Sequence, residues 1–280
     1  MYNTITDYIK MNIILTHSNL LKGILIAEKV IGRNLTLPIL QNIRITTEKN
    51  KGNIKLFATD LEIGVELDVP AKIIKEGDIT IPAKLLSGFV KKLPDKNIEI
   101  SEINKKILIQ CDNYKSNING ENSKDFPIIP KNENGYKLTM KSEDLFHGLM
   151  KVINSASAGE TKPEITGVFS LFDQDKATFV ATDSFRLSEK KIHKKNETTE
   201  VVKCIIPKKT CDAITKIFQD IDYDVELVIG DNQIVITNKP SDQLDLNFRI
   251  VSRVINGDYP NYEQIIPDKF ATTIELNKEE

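Results

Sequence analysis

The sequence predicts an α+β protein of two tandem repeats, each laying two helices on antiparallel sheets. Three observations carry that prediction. Short motifs recur in the same order about 125 residues apart. Segments with strand-like alternation outnumber helical ones. Each unit also has an extended run ending in proline and followed at once by apolar helical periodicity. At 280 residues, 40% hydrophobic and 28% charged, the chain can build two cores without covalent staples.

The repeat is read from five matches. Phe57-Ala58-Thr59-Asp60 returns as Val180-Ala181-Thr182-Asp183, and Ile79-Thr80-Ile81-Pro82-Ala83-Lys84 as Cys204-Ile205-Ile206-Pro207-Lys208-Lys209. Pro38 has its counterpart in Pro163. Asp125-Phe126-Pro127 and Asp258-Tyr259-Pro260 close the two units, and Ile-Ile-Pro follows each, ending at Pro130 and Pro267. One match is chance; five in order are a duplication. The units are expected at 11–131 and 135–267, joined by the polar run from Lys131 to Gly135. Residues 1–10 read as a tail before Met11. Residues 268–280 read as the opening of a third copy, because Thr272-Thr273-Ile274-Glu275-Leu276 resembles Lys137-Leu138-Thr139-Met140-Lys141.

Within the first unit, alternation over 12–16 predicts a strand. Ser18-Asn19 then serves as cap for an apolar-periodic helix through Ile31. Strands follow at 41–46, 54–58, 64–69 and 79–81. Pro82 is placed as first residue of a helix over 83–93, which Pro94-Asp95 ends. Residues 98–103 and 106–111 make a hairpin. The second unit repeats the pattern, with helices at 143–154 and 208–219.

Several function classes drop out. No apolar run approaches a membrane span, and no secretory signal opens the chain. Three cysteines without a CxxC argue against a disulfide framework or zinc site and for a reducing cytoplasm. No phosphate-binding loop, dinucleotide fingerprint or zinc-protease motif is present, and the three histidines are scattered. No cofactor or metal is expected. Asp60, Glu62 and Asp183 leave a metal-dependent nuclease open, but Thr-Asp used twice at strand ends reads better as turn chemistry.

Charge is segregated. The helices over 18–33, 83–92, 143–154 and 208–219 carry net +2, +3, −1 and +2, while the whole chain is −2. The plain reading is solvated amphipathic faces. The functional one is a helical surface set against a phosphate backbone, inside an acidic shell.

Thr36-Leu37-Pro38-Ile39-Leu40, Ala58-Thr59-Asp60-Leu61-Glu62, Ala181-Thr182-Asp183-Ser184-Phe185-Arg186-Leu187 and Gly257-Asp258-Tyr259-Pro260-Asn261-Tyr262 resemble the bacterial β sliding clamps, the beta subunits of DNA polymerase III. The resemblance covers residues 11–280 nearly throughout. It implies tandem clamp domains and a non-catalytic processivity factor that encircles double-stranded DNA without sequence readout. It also implies a homodimeric ring when the chain is full length. The implied partners are the polymerase catalytic subunit, the clamp loader and other proteins carrying clamp-binding motifs. Arg33 matches a DNA-contacting position of the family; Lys22, Lys29, Lys84, Lys91, Lys92, Lys208, Lys209 and Lys216 are added from helix charge. The family's partner-peptide groove maps onto Ile165, Thr182, Ser184, Phe185, Arg186, Leu187, Pro260, Gln264 and Ile265. Core packing competes as a reading for Ile165, Leu187 and Ile265. Gln264 departs from a basic residue common in relatives, and Lys162-Pro163-Glu164 from aromatics that some present to single-stranded template. The family's third domain is missing, so the chain reads as C-terminally truncated. A non-clamp binding module of the same repeats stays open; it has no use for an Arg186 groove.

Overall fold

β3 (Asn53–Thr59) shows how these residues become strands: it buries Ile54, Leu56 and Ala58 and turns Asn53, Lys55 and Phe57 toward the other face. The same period of two recurs through most of the computed structural model, which describes residues 9–32, 36–48, 52–131, 134–159, 161–193, 200–219, 223–238, 246–267, 269 and 271–277.

The first unit runs β1 (Ile9–Thr16), α1 (His17–Val30), a 3-10 turn at Pro38–Gln41, β2 (Asn42–Glu48), β3, β4 (Ile63–Pro70), β5 (Lys72–Lys75), β6 (Asp78–Pro82), α2 (Ala83–Val90), β7 (Asn97–Ile103), β8 (Lys106–Cys111), β9 (Tyr114–Asn119) and β10 (Glu121–Asn122). The second runs β11 (Tyr136–Lys141), α3 (Ser142–Val152), a 3-10 turn at Pro163–Ile165, β12 (Gly167–Phe172), β13 (Lys176–Thr182), β14 (Leu187–His193), β15 (Val202–Pro207), α4 (Lys208–Phe218), β16 (Asp224–Ile229), β17 (Gln233–Asn238) and β18 (Asn247–Arg253). The α+β class is as expected, and the second unit repeats the first apart from β5 and β10.

Three sheets hold the chain. Their strand orders are β5-β1-β7-β8-β9, then β10-β6-β2-β3-β4-β18-β17-β16-β11, then β14-β13-β12-β15. The nine-stranded sheet crosses the unit boundary. There β4 and β18 pair antiparallel, from Asp68 opposite Asn247 to Ile63 opposite Ser252. The buried apolar residues form one main cluster through both units.

Helices lie on the sheets at glycines. A Cβ on Gly23 of α1 would stand 2.9 Å from Leu56 on β3, and one on Gly148 of α3 only 2.4 Å from the Phe179 ring on β13. Bare backbone at these equivalent points lets each helix sit close to its sheet.

Element ends differ from the sequence reading in three places. The cap of α1 is Thr16, whose hydroxyl accepts the Asn19 N–H at 3.3 Å, so the helix starts at His17 and not after Ser18-Asn19. Pro82 stands before α2, not in it. Its φ of −56° suits a helix, but ψ of 115° keeps it extended as the end of β6. α2 stops at Val90, and Lys92 and Leu93 donate to the carbonyls of Phe89 and Val90 in a tightened last turn. β5, β9, β10 and β18 had no counterpart in the reading. Residues 269 and 271–277 form no helix or strand, and Ile274 and Leu276 stay exposed.

Candidate functional site

The Thr-Asp segments are turns, built identically twice. The Thr59 hydroxyl donates to the Ile63 carbonyl at 2.9 Å and accepts the Leu61 N–H at 3.1 Å. Asp60 Oδ1 accepts the N–H groups of Glu62 and Ile63 at 3.0 and 2.9 Å. In the second unit Thr182 bonds Arg186 and Ser184 in the same way, and Asp183 Oδ1 accepts Phe185 and Arg186, both at 3.0 Å. Leu61 and Ser184 both take positive φ, 79° and 76°. A side-chain acceptor two and three residues upstream holds that left-handed residue in place.

The second oxygens are taken as well. Asp183 Oδ2 accepts from Arg186 Nε at 3.0 Å. The backbone N–H groups of Arg186 and Phe185, with that guanidinium, hold the Asp183 carboxyl below its ordinary value. Asp60 Oδ2, on a buried side chain, pairs with Lys209 of α4 in the other unit. Both carboxylates are therefore turn acceptors with cationic partners. Among the described residues no three His, Cys, Asp or Glu side chains gather as a metal site. The nuclease alternative has no support.

The helices form one row. α1 packs on α2, α3 on α4, and α1 meets α4 across the unit boundary, giving the order α2-α1-α4-α3. Lys22, Lys29, Lys84, Lys91, Lys92 and Lys216 are exposed on this layer. Lys91 pairs with Glu28 at 3.3 Å, and Lys208 is half-buried with its Nζ 3.4 Å from the Ala156 carbonyl. Lys209 faces carboxylates: besides Asp60 it lies 3.7 Å from Glu62. Burial works against its charge, but Asp60 and Glu62 outweigh it and raise the Lys209 pKa. Arg33 lies outside the described residues.

The groove candidates fall on two segments. Thr182 is buried at the end of β13. Ser184, Phe185 and Arg186 are exposed in the turn, with Phe185 99% exposed, and Leu187 is half-buried at the start of β14. Pro260, Gln264 and Ile265 are exposed on the segment after β18. Ile165, at 3% exposure, belongs to the packed interior and offers a ligand little surface. Two tyrosines missed by the sequence reading organise this region. Tyr262 donates to Glu189 on β14 at 2.9 Å, and Tyr259 stacks on Phe169 with ring centroids 4.9 Å apart. Burial pushes the Tyr259 phenol up to about 12. The signal was available in the Gly257–Tyr262 motif, where two aromatics flank a proline.

The model of the DNA polymerase III beta subunit N-terminal domain matches residues 11–130, and that of its central domain matches 139–261. A beta sliding clamp of Staphylococcus epidermidis is 26% identical over 258 residues, covering 89% of this chain and 66% of the relative. One from Synechocystis is 28% identical over 288 residues, covering 96% and 72%. Among solved structures, a putative DNA polymerase III beta subunit from Eubacterium rectale is 30% identical with a TM-score of 0.83. The Bacillus subtilis DNA polymerase sliding clamp is 25% identical with a TM-score of 0.82. Each alignment covers 93% of this chain and 68% of the other. The chain thus spans about two thirds of the length of such relatives.

Proposed function

This chain belongs to the DNA polymerase III beta subunit family, the bacterial β sliding clamps, and from that premise we propose that it serves as a non-catalytic processivity factor of the replicative polymerase. The row α2-α1-α4-α3, with its exposed lysines, is the observation that carries the reading. It presents cations to a duplex running across it, while the sheets form the outer wall. Contacts to phosphate alone carry no sequence information and exchange easily, so the duplex slides.

The joint between the units supports a ring. β4 pairs with β18, and the repeat leaves one open half of the same joint at each end: β9 at the edge of the first sheet and β14 at the edge of the last. Further units joined there would extend the assembly, the route to the dimeric ring. Clamp-binding motifs of the polymerase catalytic subunit and the clamp loader would dock on the second unit, with Phe185 and Arg186 presented on the turn. Three buried thiols, Cys111, Cys204 and Cys211, suit the proposed cytoplasmic location.

Retention on nicked circular DNA tests the reading, using the chain assembled with a third unit. The complex should survive gel filtration on the circle and be lost when the circle is linearised. Equal retention on both would point to ordinary surface binding.

A further inference from the structure

We propose that the open edge of β15, with the cavity alongside it, is a docking site for an extended, basic, apolar-anchored peptide segment of another protein, bound by strand addition. This goes beyond the ring and groove reading and does not rest on it.

In both units the chain covers only the part of this edge near the following helix. In the first, β10 pairs with β6 only at Thr80 and Ile79, the counterparts of Ile205 and Cys204, and leaves Asp78, the counterpart of Lys203, uncovered. In the second, β15 is the end strand of its sheet. The segment after β18 reaches it through one backbone bond, from the Ile255 N–H to the Ile205 carbonyl at 2.9 Å, and forms no strand. Gly257, at φ 135°, then breaks the extended path.

A cavity of about 400 Å³ runs along residues 201–205 and extends to Phe169 on the neighbouring β12. Alternate residues of an antiparallel strand direct their backbone groups to the same side. The Ile205 carbonyl points to this edge, and so do the backbone groups of Lys203 and Val201. Ile255 takes the Ile205 carbonyl, and no described residue makes a backbone bond there to Lys203 or Val201.

The walls select the ligand. Phe169 and Tyr259 line the cavity, and Tyr136 and Val201 border it at 55% and 66% exposure, which suits an apolar anchor. Asp231 and Asp258 line it against one lysine, Lys203, so its charge favours a basic neighbour. An extended segment delivers both, since its side chains alternate in direction.

The test titrates the isotope-labelled chain with a capped peptide of about seven residues alternating valine and lysine. Its glutamate counterpart and an N-methylated form unable to add a strand are the comparisons. Saturable shifts are expected at the Val201 and Lys203 amides with the lysine peptide, and affinity about tenfold or more weaker for the other two. Lys203→Pro removes an outward N–H at an edge, where proline is tolerated, so it should keep the fold and lose the peptide. Asp231→Asn should reduce the preference for lysine over glutamate. If Lys203→Pro does not fold, the N-methylated peptide decides. Absence of saturable shifts at millimolar peptide, or equal affinity for the N-methylated form, overturns the proposal. So does concentration-dependent self-association that Lys203→Pro abolishes, which would assign the edge to a second copy.

Discussion

Lys209, at the start of α4 in the second unit, closes its ammonium onto Asp60 in the β3–β4 turn of the first, with Glu62 at 3.7 Å beside it. The same Asp60 shapes its own turn, so one buried carboxylate serves both local conformation and the joint between units. Asp60→Ala should lower the unfolding free energy by about 2–3 kcal/mol, since it strands two N–H groups and a lysine. Lys209→Ala, half exposed, should cost about 1 kcal/mol or less. Urea denaturation of both variants and their double measures the coupling. Strict additivity would mean the two side chains do not interact.

Asp183 makes a pH prediction with a definite sign. Its carboxyl is held below the ordinary value first by the Arg186 and Phe185 N–H groups, then by the Arg186 side chain. A depressed folded pKa contributes stability that is fully present above the unfolded value and disappears as pH falls through the folded one. An NMR titration should place the Asp183 midpoint under the ordinary 3.8. Arg186→Ala should raise it only partway, because the backbone donors remain. A full return to the ordinary value would make the guanidinium the main cause.

Gly148 should not tolerate a side chain. A methyl there meets the Phe179 ring at 2.4 Å, with both groups in the packed interior. Gly148→Ala is expected to cost about 1–3 kcal/mol by overpacking, against the gain alanine gives an ordinary helix position. Adding Phe179→Leu should recover part of the loss. Thermal denaturation of the three variants reads this, and a stabilised Gly148→Ala would show that α3 has room to move.

On the helical layer, single lysine changes should matter little. Each exposed lysine–phosphate contact is weak and screened by salt. Lys84, Lys91 and Lys92 reversed together to glutamate, in a ring-competent assembly, should impair DNA retention and flatten its salt dependence. Unchanged retention at low salt would remove these residues from the interface.

Arg186→Ala and Phe185→Ala should weaken a clamp-binding peptide about tenfold while the melting temperature stays within a few degrees of wild type. Phe185 is almost fully exposed, and the Arg186–Asp183 pair lies at the surface, where solvent screens it. A large stability loss would make Arg186 a structural residue of the turn.

What was legible in the sequence was local or periodic. The duplication, the α+β class, most strands and the Thr-Asp turns follow from patterns that span a few residues, because backbone geometry imposes its period on side chains directly. β9 escaped the reading: Tyr114-Lys115-Ser116-Asn117-Ile118-Asn119 buries only Ile118, too faint an alternation to recognise. The helix lysines were legible as composition, but their partners were not. Glu28 reaches Lys91 from a different helix and Asp60 reaches Lys209 from a different unit, at distances along the chain that no local pattern encodes. The tertiary structure alone decided that β4 and β18 join two units into one sheet, that Ile165 is interior while Phe185 projects, and that β15 ends its sheet. Each depends on which edge meets which. The hydrogen-bonding groups of any two strands are the same, so register and partner are settled only when whole faces pack.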